Sequence, residues 1–172
     1  MIFIMRGTSC SGKDTFIKRH FEDPKSSNHV ISSDNFREML YGSFDFERDS
    51  KDLFKIIHQV IDFRLRSKVT WTVLNAANLK MSNVNKVLDL CKKYRVQYVF
   101  ISIEPPDVDV LMSRSEERAE QGGVFLSREV LEKHHKDYFN CREYFIDEAK
   151  NSSLCSFIEI NQNDEVLHHV GA

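Results

Sequence analysis

No stretch of this 172-residue chain approaches the length of a membrane span, and the apolar run at its start is too short for a secretory leader. A basic excess is also missing. Lysine and arginine number 24 against 26 aspartates and glutamates, a net charge of −2. With no overall positive field, any nucleic-acid substrate has to be gripped locally and briefly. Cysteine is sparse, and Cys10, Cys91, Cys141 and Cys155 show no metal-like spacing. Reduced thiols in a cytoplasmic setting are the expectation. Internal repeats and low-complexity segments are absent. What remains is ordinary for a soluble globular protein, 41% hydrophobic and 29% charged. One domain, residues 1–172, is the simplest organisation at this length.

The chemistry is concentrated at the start. Ile2, Phe3, Ile4 and Met5 suit a buried strand, and Asp14 to Phe21 read as a helix with Phe16, Ile17, His20 and Phe21 on one face. Between them lie Gly7, Thr8, Ser9, Cys10, Ser11, Gly12 and Lys13. Strand, Gly-x4-Gly-Lys loop and helix are the context of a phosphate-binding P-loop. Gly7 makes the tight exit from the strand, and Gly12 lets the backbone approach an anion. Amides at the helix start hold phosphate oxygens, and Lys13 reaches the β and γ phosphates. One position departs from the pattern. The hydroxyl expected after Lys13 to bind Mg²⁺ is replaced by Asp14, and Thr15 comes one residue late.

Downstream, strands alternate with helices. Further strands are expected at His29–Ser32, Val69–Leu74, Val96–Ile103 and Leu154–Ile160, with helices at Ser33–Leu40, Asp49–Lys68, Ser82–Tyr94, Asp107–Arg118 and Arg128 to about Asp147. Asp23 to Asn28 reads as a turn-rich connection, and the tail as one helical turn. This order predicts an α/β fold of the P-loop NTPase, nucleotide-kinase-like type: a five-stranded parallel sheet, helices on both faces, and a lid at about 114–127. In such sheets ligands sit beyond the carboxyl ends of the strands, which puts Gly7 to Thr15, Asp34 and Asn75 to Asn78 on one rim.

A phosphoryl-transfer site needs a phosphate grip, Mg²⁺, a group to take the acceptor's proton, and cations on the moving phosphoryl. Asp34, just past the second strand, is placed to act as the base; it is equally placed as a plain helix N-cap. Arg37, one turn on, suits a bidentate grip on an acceptor phosphate, or is a surface arginine. Arg114 and Arg118, spaced i, i+4 ahead of Gly122 and Gly123, suit a lid that clamps nucleotide phosphates, or a solvated face balanced by Glu116 and Glu117. Arg128 is a weaker candidate. His134 and His135, and likewise His168 and His169, are adjacent and point apart on a helix, so they read as surface residues. Phe44, Phe46 and Phe54 have the chemistry to stack on acceptor bases, although most of the 13 phenylalanines belong in a core.

Three segments together resemble the kinase domain of polynucleotide 5′-hydroxyl kinases, the end-healing enzymes of phage and bacterial RNA repair. They are Gly7 to Thr15, Ile31 to Arg37, and Leu111 to Arg118; Asn78 and Leu79 also fit the family's Thr-Asn-Leu. The resemblance runs from Ile2 to about Tyr138. It implies ATP, or another NTP, as donor with Mg²⁺, and the 5′-OH end of RNA or DNA as acceptor. It also implies no membrane partner and a location in the cytosol of a bacterium or of a phage-infected cell. Carried over by motif, Lys13 binds donor phosphates, Asp34 is the general base, Arg37 and Asn78 lie on the acceptor side, and Arg118 stabilises the transferring phosphoryl with Arg114 assisting.

Two departures stand out. The family has Ser or Thr where this chain has Asp14, and tends to have Asp at the end of strand three where this chain has Ala76. One reading moves the acidic group across the site, so that Asp14 binds the metal. The opposite reading has Asp14 repelling the γ-phosphate. A small-molecule kinase of the same fold and a non-catalytic nucleotide-binding protein therefore stay open beside the polynucleotide kinase.

Overall fold

The computed structural model describes residues 1–21, 29–42 and 50–171. The connection expected at Asp23 to Asn28, Phe44, Phe46 and the expected helix start at Asp49 lie outside the described residues. The elements are β1 (Ile2–Arg6), α1 (Lys13–His20), β2 (Val30–Ser32), α2 (Ser33–Tyr41), α3 (Ser50–Arg66), β3 (Thr72–Asn75), α4 (Met81–Tyr94), β4 (Tyr98–Ile103), α5 (Val108–Glu120), α6 (Arg128–Asn140), α7 (Arg142–Asn151), β5 (Cys155–Ile160) and β6 (Val166–Val170). They form one sheet in the order β2-β3-β1-β4-β5-β6.

The first five strands are parallel, with Ile4 opposite both Leu74 and Phe100. Side chains alternate across β1. Ile2 and Ile4 join Leu74 and Phe100 against the apolar stripes of α3 (Leu53, Ile57, Ile61, Leu65) and α4 (Val84, Val87, Leu88, Cys91). Those stripes are buried as their helical spacing predicts. Phe3 and Met5 point to the other face, where Ile17 of α1 packs among Phe16, Phe21 and Trp71. His20, expected on this buried face, is instead exposed and lies 3.1 Å from the carboxylate of Asp164.

The sheet differs from the expected five parallel strands. The tail is not a helical turn but a sixth strand, β6, antiparallel to β5. The intervening turn is built by Asn161, whose side-chain oxygen accepts from the amides of Asn163 and Glu165, and by Asp164 in the left-handed region at φ 62°. The long helix expected from Arg128 to about Asp147 is two helices, α6 and α7, that meet at Cys141. Buried Tyr138 on one side and Arg142 on the other both bond Glu159 of β5, and the chain bends between them. Strands β3 and β4 begin later than expected because Lys68 (φ 56°) and Arg95 (φ 52°) sit in left-handed turns after α3 and α4.

Candidate active site

Short connections leave the P-loop at the carboxyl end of β1, with Gly7 N–H donating to Ala77 O across the rim at 3.0 Å. A Cβ on Gly7 would fall 2.7 Å from Ser11 Oγ and 3.2 Å from Ile103 O, so only glycine fits. Gly12 is left-handed at φ 94°, as the turn into α1 requires. Lys13 is buried. Its Nζ donates to Gly7 O at 3.0 Å and Thr8 O at 2.6 Å. Burial pushes its ammonium down to about 8, against the opposing pull of Asp14 and Asp34. The Thr8 and Ser11 hydroxyls are buried without a hydrogen-bond partner.

Asp14 is exposed in the first turn of α1, and its Oδ1 accepts from Asn75 Nδ2 at the end of β3, 2.7 Å away. The cap of α2 is Ser32, whose Oγ accepts from Asn35 N–H. Asp34 is therefore not the cap, and its carboxylate faces the rim. One oxygen accepts from Arg37 at 3.0 Å and the other from Arg118 at 3.3 Å.

Arg118 is placed by the segment that follows α5. Ser115 Oγ is clasped to Leu126, accepting from its N–H at 2.8 Å and donating to its carbonyl at 3.2 Å. Gly123 N–H donates to Arg118 O, and a Cβ there would strike Arg118 Cγ at 2.7 Å. Arg114 turns toward the P-loop, donating to Cys10 O at 3.1 Å and Gln162 Oε1 at 2.8 Å. Gln162 in turn donates to Ser11 O and Glu104 O, bracing the loop, the end of β4 and α5 together.

Two cavities flank the P-loop lysine. One, of ≈ 390 Å³, runs from Gly12 and Thr15 toward Arg114 and Gln162. The other, of ≈ 530 Å³, holds Asp34, Arg37, Phe54, Asn78 and His134. Cys10, Lys13, Asp14 and Arg118 border both. Asn78 borders the larger cavity with its side-chain Oδ1 buried and unpartnered. It is buried at φ 47°, and its Nδ2 donates to Met5 O. Arg128 is elsewhere, exposed and paired with Asp109 at 2.6 Å. Burial raises the Cys10 thiol despite the nearby cations Arg118, Lys13 and Arg114.

Sequence reasoning placed Asn75 on the rim without giving it a role, read His134 as a surface residue although it is half-buried against the P-loop, and passed over Ser115 and Gln162. Gln162 follows β5 at its carboxyl end, so the rim rule for parallel sheets points to it. Asn75 lies at the corresponding end of β3. Neither Ser115 nor His134 carries a sequence signal: Ser115 is defined by a clasp to Leu126, 11 residues on with no motif between them, and His134 by Ser9, 125 residues away.

The sequence model of the AAA domain family matches residues 2–140. No curated protein matches the sequence significantly. Among solved structures, a chain of the Pnkp1/Rnl/Hen1 RNA repair complex is 22% identical with a TM-score of 0.67, covering 83% of this chain and 45% of its own. A chain of the AvrRxo1-ORF1:-ORF2 complex with ATP is 13% identical with a TM-score of 0.70, covering 97% of this chain and 56% of its own. A gluconokinase from Sinorhizobium meliloti 1021 is 16% identical with a TM-score of 0.54, covering 91% and 81%. The chain thus spans about half the length of the first two. At these identities the likeness is one of fold. No helix among the described residues is long and apolar enough to cross a membrane.

Proposed function

Because this chain belongs to the AAA domain family, here a P-loop kinase-like fold, we propose that it is a phosphotransferase acting as an ATP-dependent polynucleotide 5′-hydroxyl kinase on RNA or DNA. Residues 1–172 are read as one kinase domain with a lid at about 114–127. The observation that carries this reading is the meeting of two cavities at Lys13 and Arg118, with Asp34 and Arg37 on the second cavity alone. A donor and an acceptor approaching from opposite sides would meet there.

The donor NTP lies in the smaller cavity. Gly7 to Gly12 supply amides to its phosphates, with Thr8, Ser9, Cys10 and Ser11 between the glycines, and Thr15 follows in α1. Lys13 leaves the Gly7 and Thr8 carbonyls for phosphate oxygens, whose negative charge offsets the cost of its burial. In the larger cavity Arg37 holds an acceptor phosphate and Asn78 shapes the wall. The 5′-hydroxyl oxygen attacks the γ-phosphorus in line as the bond to the β–γ bridging oxygen breaks. Its proton passes to Asp34, and the nucleoside diphosphate leaves. Arg118 gives up the Asp34 carboxylate and moves onto the transferring phosphoryl, freeing the base and supplying the cation in one motion. Arg114, tied to Cys10 and Gln162, keeps the lid helix over the donor.

The fold family implies Mg²⁺, and the residues present fit it. Magnesium takes one or two carboxylates and fills its shell with phosphate oxygens and water. Asp14 offers one exposed carboxylate beside Lys13, fixed through one oxygen by Asn75, with the other oxygen free to coordinate. Bound there, the ion supplies charge neutralisation to the donor's phosphates. Asn75 takes the place of a tether from strand three, adjacent to Ala76.

The gluconokinase likeness over 81% of that chain, and an acceptor cavity within the usual size of small-molecule pockets, favour a small hydroxylated acceptor as the second reading. Labelled γ-phosphate transfer from ATP or GTP to short 5′-OH RNA and DNA, with Mg²⁺, separates the two. We expect labelled 5′ ends with the native protein and a loss of about 10²–10⁴-fold in Asp34→Ala. No transfer to either strand, with label appearing on a sugar or nucleoside, establishes the second reading. Nucleotide bound with transfer to no acceptor overturns both.

A further inference from the structure

The face of α6 that meets the P-loop carries a residue the phosphoryl-transfer scheme does not use. His134 Nδ1 lies 3.5 Å from Ser9 Oγ. His134 and Ser9 both border the larger cavity, beside Lys13. One turn later on the same face, Tyr138 is wholly buried. Its carbonyl accepts from Arg6 NH2, and the Arg6 guanidinium lies 4.1 Å over its ring. Arg6 itself is fully buried, immediately before Gly7. The segment from residue 6 to residue 9 is thus fastened to one stripe of α6 at two points, Arg6 to Tyr138 and Ser9 to His134. A buried guanidinium is a demanding way to hold a helix. Here it fixes the distance between the P-loop and the imidazole.

We propose that His134 is a donor-phosphate residue, reaching from α6 across Ser9 to hydrogen-bond the terminal phosphoryl of the bound nucleoside triphosphate. Three observations converge on that group. Ser9 lies on the loop between Gly7 and Lys13, so it belongs to the phosphate cradle. It borders the acceptor-side cavity and not the other, so the imidazole approaches from the side toward which the terminal phosphoryl must point for transfer. Burial and the nearby Lys13 and Lys133 hold the imidazole below its ordinary value, against the pull of Asp137, so the ring adds no positive charge beside Lys13 in the ligand-free site. An N–H of the ring is then a donor that adds contact to an oxyanion without like-charge repulsion of Lys13. This inference rests on the nucleotide-binding half of the reading above and not on the identity of the acceptor.

The test compares ATP with ADP, because only ATP has the terminal phosphoryl. Titration calorimetry with Mg²⁺ and each nucleotide is made for the native protein, His134→Ala and His134→Gln. One lost hydrogen bond to a charged group predicts about tenfold weaker ATP binding in His134→Ala, with ADP binding unchanged. His134→Gln, which keeps an N–H donor of similar reach, restores most of the difference. Equal weakening of ATP and ADP would show that His134 only props the P-loop, and an unchanged ATP to ADP ratio would show that it does not touch the phosphoryl. Either result overturns the assignment. Neither depends on phosphate transfer, so failure of the polynucleotide kinase reading appears separately, as transfer to a different acceptor or to none. Thermal unfolding of the variants checks that the half-buried site still folds.

Discussion

Lys13 illustrates how a P-loop lysine opposes stability. Its ammonium is buried among backbone carbonyls, and its pKa falls to about 8 from an ordinary 10.5. The unfolded chain therefore binds more protons than the folded one between those values, so stability rises with pH from about 8 to 10.5. Below 8 the penalty is present in full. Replacing Lys13 with Met should stabilise the ligand-free protein at pH 7 by about 1–3 kcal/mol, less than the shift alone suggests because two carbonyls lose their donor. It should also flatten the alkaline rise and abolish transfer. Urea unfolding at pH 7 and pH 9.5 measures this; a destabilised variant at pH 7 would refute it. Asp14 belongs to the same scale. If its carboxylate holds the metal, Asp14→Ala should leave the protein folded and lower its stability by no more than about 1–3 kcal/mol, the cost of leaving Asn75 Nδ2 without its partner. The same variant should weaken Mn²⁺ binding, read by electron paramagnetic resonance in the presence of nucleotide, and lose Mg²⁺-dependent turnover. Native Mn²⁺ affinity in that variant would place the ion elsewhere.

Among the elements, the segment after α5 is clasped by a serine. Ser115 is buried, and both of its hydrogen bonds go to Leu126, closing the segment back onto α5 beside Arg118. Ser115→Ala leaves the Leu126 amide without that partner. We expect faster hydrogen exchange at Leu126, a kcat lowered by about tenfold through a misplaced Arg118, and a global midpoint lowered by no more than about 2 kcal/mol. Unaltered exchange at Leu126 would mean the clasp does not control the segment. Such a contact also marks where sequence reading stops. The P-loop was legible because its glycines, lysine and flanking strand are contiguous, and the stripes of α3 and α4 were legible because burial repeats every three or four residues. Asp34 was legible as a candidate but not as distinct from a cap, since the choice of Ser32 depends on where β2 ends. The break at Cys141 was not legible. No glycine or proline marks it, and it arises because Tyr138 and Arg142 share a partner on β5. The hairpin into β6 was missed for a related reason, its turn being made by Asn161 side-chain bonds without the usual Asn-Gly or Asp-Gly signal.

At the scale of the molecule, that shared partner joins parts that the sheet alone would not fix. Glu159 on β5 is almost fully buried. It accepts from Tyr138 Oη at 2.7 Å, and from Arg142 through Nε and NH2 at 2.9 and 2.6 Å. Tyr138 also contacts Arg6 and shares a hydrogen bond with Ser102 on β4. One carboxylate thus links β1 at the foot of the P-loop, β4, β5, and the junction of α6 with α7. Two guanidiniums depend on it, Arg142 by direct bonds and Arg6 by its field. Removing one member of a buried ionic network leaves the others uncompensated, which costs about 3–5 kcal/mol, whereas exposed pairs contribute about 0–1 kcal/mol. Glu159→Ala should therefore destabilise the protein by about 3–5 kcal/mol, while Asp109→Ala, which breaks the exposed pair with Arg128, should leave stability nearly unchanged. Urea titration of both variants, with intact nucleotide binding required of the second, makes the comparison. Because the network holds α6 against the P-loop, Glu159→Ala should also lower ATP affinity at temperatures where it remains folded. A Glu159→Ala variant as stable as Asp109→Ala would show that apolar packing alone sets the position of α6, and the fastening of the P-loop to that helix would lose its energetic basis.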